Sequence, residues 1–220
     1  MRINADFSKP AIVNRSNAEW VLSPESGVDR IMLDRIGDEV ARATSIVRYA
    51  PGSSFARHEH AKGEEFLVLE GTFSDDSGDY PAGFYVRNPP GSGHAPHSKD
   101  GCRILVKLRQ FDAEDLTPVV IDTRQQELWF KNDKDDSTWH LPLHQYGSER
   151  VQMLRIPADT EYAMSAGPLG TELFIVTGAI RHGDEELPAE SWLRFPAHQQ
   201  IHIIPLTDIV LWRKSGHLPD

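Results

Sequence analysis

The chain has 220 residues, 39 % of them apolar and 25 % charged, a balance close to that of ordinary folded proteins, which excludes wholesale disorder. Its formal net charge of -10 excludes a general polyanion binder, because phosphate binding draws on clustered Lys and Arg, so nucleic acid is not an expected partner. A single cysteine, Cys102, excludes an internal disulfide framework and any Cys-x-x-Cys zinc module, leaving His and carboxylate as the donors for a metal ion.

The first 20 residues contain no basic head followed by an apolar core, and no stretch approaches the roughly 18 apolar residues of a membrane span. A cytoplasmic protein with no membrane partner is expected. Along the chain, short apolar runs recur between Gly and Pro: Ser45–Tyr49, Glu65–Leu69, Gly83–Arg87 and Arg103–Leu108. Their length and the turn residues between them predict strands, and no long amphipathic helical stretch competes. The order then repeats in Arg150–Arg155, Glu172–Val176, Ser191–Phe195 and Ile209–Arg213.

The repeat sharpens into an alignment. Pro51 corresponds to Pro157, Gly71 to Gly178, Pro81-Ala82 to Pro188-Ala189 and Pro89 to Pro196, at an offset of 106 to 107; upstream, Trp20 matches Trp129 and Gly37 matches Gly147. Such a period suits one small jelly roll, so two barrels in tandem are expected. The acidic, Pro-containing stretch Phe111–Pro118 reads as the linker. The boundary is placed near residue 115, giving units 1–115 and 116–220.

Chemistry concentrates in the first copy. In Gly52-Ser-Ser-Phe55-Ala-Arg-His58-Glu-His60-Ala-Lys-Gly63-Glu64, the two histidines stand two apart and face the same side of an extended strand. Gly63 allows a turn that returns the Glu64 carboxylate to them. Downstream, Pro89-Pro90-Gly91 redirects the chain and aims His94 inward, completing three imidazoles and one carboxylate. Glu65 competes with Glu64, which is preferred because six residues then separate it from Gly71. His97 reads either as an orienting partner of a ligand or as a solvent-facing residue. Phe55, Phe66 and Tyr85 are candidates for an apolar pocket lining or simply for core. Cys102, ahead of a strand, reads as a small buried residue.

These stretches resemble the two sequence motifs of the cupin superfamily, met at Gly52, His58, His60, Glu64 and Gly71 and at Gly83, Pro89, Gly91 and His94. One departure is Ser98, where the second motif often closes with Asn. The resemblance implies an all-β fold of tandem double-stranded β-helix (jelly-roll) barrels, a bicupin, with one divalent metal ion in the first barrel. The phrasing Gly63–Gly71, Tyr80–Gly83 and Tyr85–Pro96 further resembles the cupin lobe of ChrR-type anti-sigma factors. That implies zinc, a regulatory role in transcriptional responses to singlet oxygen and peroxide, and a sigma factor or other regulatory protein as partner. The paired Cys and the helical sigma-holding domain of that family are not evident in this chain. The alternative is a metal-dependent dioxygenase, with iron, manganese or nickel and a small-molecule ligand. Monomer and homodimer are both compatible with the sequence.

In the second copy, the alignment replaces His58 by Met164, His60 by Ala166, Glu64 by Thr171 and His94 by Ile201, so it is expected to bind no metal. His182, His198 and His202 have no same-face partner at strand spacing. His140 and His144 have helical spacing, but Pro142 between them argues against a helix.

Overall fold

The computed structural model describes residues 1–38, 40–132 and 135–219, with backbone alone at 132, 135 and 136. Among the described residues the chain is strand after strand, and the helical elements are two single 3-10 turns, Arg15–Asn17 and Gln126–Leu128. Among the described residues no helix is long and apolar enough to cross a membrane. The chain divides into two compact units, the first made of Met1–Ala5 and Glu19–Arg124, the second of Asp6–Ala18 and Gln125–Asp220.

In the first unit the main sheet runs, antiparallel throughout, in the order Arg2–Ile3, Val28–Ile36, Arg42–Tyr49, Cys102–Leu108, Glu64–Asp75, Phe84–Asn88, Val119–Asp122. The four runs read from sequence lie at its centre, in the strands Arg42–Tyr49, Glu64–Asp75, Phe84–Asn88 and Cys102–Leu108. The outer strand Val28–Ile36, with Asp and Arg interrupting its apolar positions, carries no clean alternation to mark it. Phe66, Val68, Val86, Ile104 and Val106 share one face of the sheet and pack into a core with Phe73, Tyr80 and Cys102. Cys102 is a buried free thiol, and burial pushes its pKa up to about 11, so it stays neutral and apolar.

The opposite face of the same strands carries a buried ionic row. Arg87 bridges Glu65 at 2.9 Å and Asp115 at 2.6 Å, and its guanidinium lies 3.8 Å from the centre of the Phe111 ring. Tyr85 donates its hydroxyl proton to the same Glu65 oxygen at 2.6 Å. The stretch expected as a linker is thus tied down, at Phe111 by stacking and at Asp115 by an ion pair. Beyond it Val119–Asp122 pairs with Phe84–Asn88, which keeps residues past 115 in the first unit as far as Arg124.

The second unit repeats this strand order. Asp135–Tyr146, Glu149–Ile156, Ile209–Ser215, Thr171–Thr177, Trp192–Phe195 and Ala11–Val13 form one sheet, and Tyr162–Ser165, Gln200–Pro205, Ala179–His182 and Glu185–Pro188 form the other. The register agrees residue for residue with the first unit. Glu65 faces Arg87 and Lys107, and Glu172 faces Arg194 and Lys214. The Trp192 indole donates to Glu172 at 3.1 Å, as the Tyr85 hydroxyl does to Glu65. His140 and His144 both lie on the strand Asp135–Tyr146, whose ladder slips between Pro142 and His144.

Replacing Arg87 with Met leaves Glu65 and Asp115 buried without their shared cation. We expect a loss of about 3–5 kcal/mol in urea unfolding. A loss below about 1 kcal/mol would show that the ionic row does not hold the first unit together.

Candidate metal centre

The centre is assembled from three short stretches. His58–Glu59 pairs antiparallel with Gly93–His94 so that His58 and His94 stand directly opposite. The turn Pro89–Ser92 holds the second stretch against the first: the His60 N–H donates to the Ser92 carbonyl at 2.8 Å and the Gly91 N–H to the His60 carbonyl at 3.0 Å. Glu64 opens the strand Glu64–Asp75 after Gly63, whose φ of +72 is suited to glycine. A side chain there would also put its Cβ 2.3 Å from the Phe111 ring.

One donor atom from each of His58, His60, Glu64 and His94 lies within 4.8 Å of the other three. The three rings meet edge-on, with centroids 5.1, 5.1 and 4.6 Å apart. Glu64 Oε2 stands 3.5 Å from His60 Nε2 and 3.4 Å from His94 Nε2, longer than good hydrogen bonds. Both Nε2 atoms are consequently buried with no hydrogen-bond partner among the described residues. Buried orphans of this kind cost about 1–3 kcal/mol each. Converging lone pairs from three imidazoles and a carboxylate form a donor set that could hold a divalent ion, and the orphaned nitrogens fit one.

The ring orientations are held from behind. His94 Nδ1 lies 2.8 Å from Asp75 Oδ2 and His58 Nδ1 lies 3.0 Å from the Ala56 carbonyl, which makes each Nδ1 the N–H donor and leaves Nε2 free. Asn88 donates to Glu64 Oε2 at 3.0 Å. Burial disfavours a charged His94, yet the Asp75 hydrogen bond and the Glu64 and Asp75 charges outweigh it and raise its pKa above the ordinary imidazole value. At His60 burial prevails over Glu64, and the neighbouring imidazoles add to it, so the pKa is lowered.

Sequence reasoning missed Asp75 and Asn88. Asp75 sits in Asp-Asp-Ser-Gly at a hairpin, which reads as turn chemistry, and nothing in its spacing points to a histidine 19 residues on. Asn88 lay inside the quoted motif, and its register opposite Glu64 was the missing signal.

The remaining candidates take different places. Phe55 lies edge-on to His58, with ring centroids 6.2 Å apart. Phe66 is a core residue whose ring is tilted against Phe73, and the Phe73 ring centroid lies 5.8 Å from that of His94. Glu65 and Tyr85 are corrections to the sequence expectation: one position along a strand reverses the face, so both belong to the Arg87 row and not to the cluster. His97 is exposed, 3.5 Å from the Ala95 carbonyl, on the strand His97–Ser98 beside Ser53–Ser54. Ser98, in the place of the motif's Asn, donates to the Thr72 carbonyl at 2.6 Å and is buried.

In the second unit Met164 faces Ile201 across the strands that correspond to the His58 and His94 pair. Ile201 and Ala166 are buried in the apolar core, Met164 packs against it, and Thr171 donates to the Ala166 carbonyl at 2.8 Å. His182 donates to the His202 carbonyl, and His198 is exposed. Replacing Ile201 with Ala should destabilise the second unit by about 2–5 kcal/mol. Urea unfolding followed by tryptophan fluorescence reads this, and an unchanged midpoint would mean that the interior is not packed as described.

Residues 8–112 match the family model described as the ChrR Cupin-like domain. No curated protein matches the chain. Among solved structures, a candidate dioxygenase from Nostoc punctiforme superposes with a TM-score of 0.78 at 15 % identity, over 97 % of this chain and 85 % of that one. The bacterial pirin YhhW in complex with nickel(II) from Escherichia coli gives 0.69 at 14 %, over 96 % and 100 %. An oxalate decarboxylase from B. subtilis gives 0.62 at 10 %, over 93 % and 76 %. At these identities the structural likeness speaks for the fold. Residues 8–112, a little under half of the chain, are similar to the ChrR cupin-like domain, and the chain shares the fold of these solved structures.

Proposed function

We propose that this protein is a metal-dependent cupin enzyme of the oxygenase class, a bicupin whose first unit holds one divalent ion on His58, His60, Glu64 and His94 and whose second unit binds none. One observation carries the reading: the unsatisfied donor cluster borders a cavity of about 530 Å³ whose wall includes His58, His60 and Glu64. Cavities of about 300–1,000 Å³ are the size that takes small organic ligands. A divalent ion in the cluster supplies Lewis acidity and, if it is iron, manganese or nickel, electron exchange with dioxygen. The chain's own residues do the rest. Asp75 and Asn88 aim His94 and Glu64, Tyr49 and Phe55 give the cavity apolar walls, and the exposed edge at His58 admits the ligand. The printed descriptions of a dioxygenase, a nickel-bound pirin and an oxalate decarboxylase on this fold support metal-dependent small-molecule chemistry by analogy.

The match of residues 8–112 to the ChrR cupin-like domain favours a second reading. In it the protein is a cytoplasmic sensor, zinc occupies the cluster, oxidant reaches the ion, and a sigma factor or other regulatory protein responds. Metal analysis of protein from its native host, joined to oxygen-uptake assays with small diketones, thiols and phenolic acids, separates the two. Iron or manganese with oxygen uptake supports the enzyme, and stoichiometric zinc without turnover supports the sensor.

Both readings require the same ion site. Exchanging His58 and His60 for Ala should abolish stoichiometric binding of a divalent ion, and an unchanged stoichiometry would place the ion elsewhere. Asp75→Ala should weaken binding by about 10–100-fold while circular dichroism stays that of the parent protein. Full retention of affinity would remove Asp75 from the site.

A further inference from the structure

Arg30 lines the same cavity and has no role in anything described so far. It lies on the strand Val28–Ile36 opposite Val47, two residues after Val28, which lies opposite Tyr49. Strand alternation gives Arg30 the face of Val28, and Val28, Val47 and Tyr49 all pack in the first unit's core. The guanidinium is therefore aimed inward. Its Nε is shielded from solvent and has no hydrogen-bond partner among the described residues. A planar guanidinium carries five N–H donors and keeps its charge at every working pH, so the shielded Nε–H of this half-buried side chain offers a donor that a ligand in the cavity can meet.

The surroundings indicate which ligand. Although the chain is strongly acidic overall, four arginines (Arg30, Arg35, Arg57 and Arg109) and three glutamates line the cavity, and one of those glutamates is Glu64 of the metal-capable cluster. Arg57 is already paired with Asp76. Arg109 also stands at the cavity wall, its N–H on the Gly63 carbonyl at 2.9 Å. The rest of the wall is apolar, including Val28, Val47, Tyr49, Phe55, Ile104 and Val106.

We infer that the cavity binds an organic monocarboxylate with an aromatic or branched apolar body, its carboxylate paired with Arg30 and its body against the apolar wall. A planar carboxylate matches the guanidinium fork with two parallel N–H donors, and the volume exceeds what a bare carboxylate needs. The inference rests on the cavity's being the ligand site, as in the proposed function, but does not require the ion.

Calorimetric titration with phenylacetate and its neutral isostere phenylacetamide, in chelator-treated and in zinc-loaded protein, tests it. Phenylacetate is expected to bind at least tenfold more tightly than the amide in both states. Arg30→Met should erase that preference, Arg30→Lys should restore part of it, and neither should alter metal stoichiometry. Equal binding of acid and amide overturns the inference, as does an undiminished preference in Arg30→Met. A preference seen only with zinc present would put the carboxylate on the ion and also overturn it. Failure of the parent protein to take up zinc would sink the metal reading alone, because the acid and amide comparison in chelator-treated protein would still stand.

Discussion

Two consecutive glutamates on one strand organise the first unit. Successive side chains of a strand point to opposite faces, so Glu64 turns toward the cavity and Glu65 toward the opposite, equally buried face. Their cross-strand neighbours differ accordingly, Asn88 for Glu64 and Arg87 for Glu65. Each carboxylate is matched to its side: Glu65 receives a fixed cation and a hydroxyl donor, while Glu64 receives one amide and faces imidazoles. A register slip of one residue would exchange them, placing an uncompensated carboxylate beside Arg87's former partners and leaving the histidines with no anionic donor. The same alternation that builds the sheet therefore decides which acid is structural and which is available for chemistry.

The histidine cluster is a local departure from good packing. Asp75 and the Ala56 carbonyl satisfy the rear nitrogens of His94 and His58, and nothing among the described residues satisfies the forward nitrogens of His60 and His94. Leaving them orphaned costs stability, and the cost is tolerable because the Arg87 row and the aromatic core beneath hold the surrounding strands independently. A ligand in the cluster would recover part of that energy, which is what a preorganised binding site provides.

The second unit shows the same scaffold with the departure repaired. Glu172, Arg194 and Lys214 keep the register of Glu65, Arg87 and Lys107, yet Met164, Ala166, Thr171 and Ile201 fill the interior. Burying a side chain such as Ile201 contributes about 1.5–3 kcal/mol, where the imidazole at the matching place in the first unit costs energy without a ligand. The loss of the donors lies on the cavity side of the strands, whereas on the other face Tyr85 alone of the residues named changes, to Trp192. The ionic row is kept in both, with Glu172, Arg194 and Lys214 at the places of Glu65, Arg87 and Lys107.

The sequence by itself determined the strand class, the internal repeat, the four convergent donors and the lost donors of the second copy, because each is encoded by local spacing: period two along strands, glycine at forced turns, and a fixed offset between copies. It also marked Cys102 as a small buried residue, and the structure buries it. The outer strands Val28–Ile36 and Asp135–Tyr146 were not legible, since charged residues and Pro142 break their alternation and cross-strand pairing compensates. Only the tertiary structure decided that Asp75 stands behind His94, that Asn88 aims Glu64, that Glu65 and Tyr85 belong to the other face, that His97 looks outward, and that Arg30 enters the cavity. Those placements depend on which strands become neighbours and in what register, and contacts between residues far apart in the chain leave no mark in local spacing.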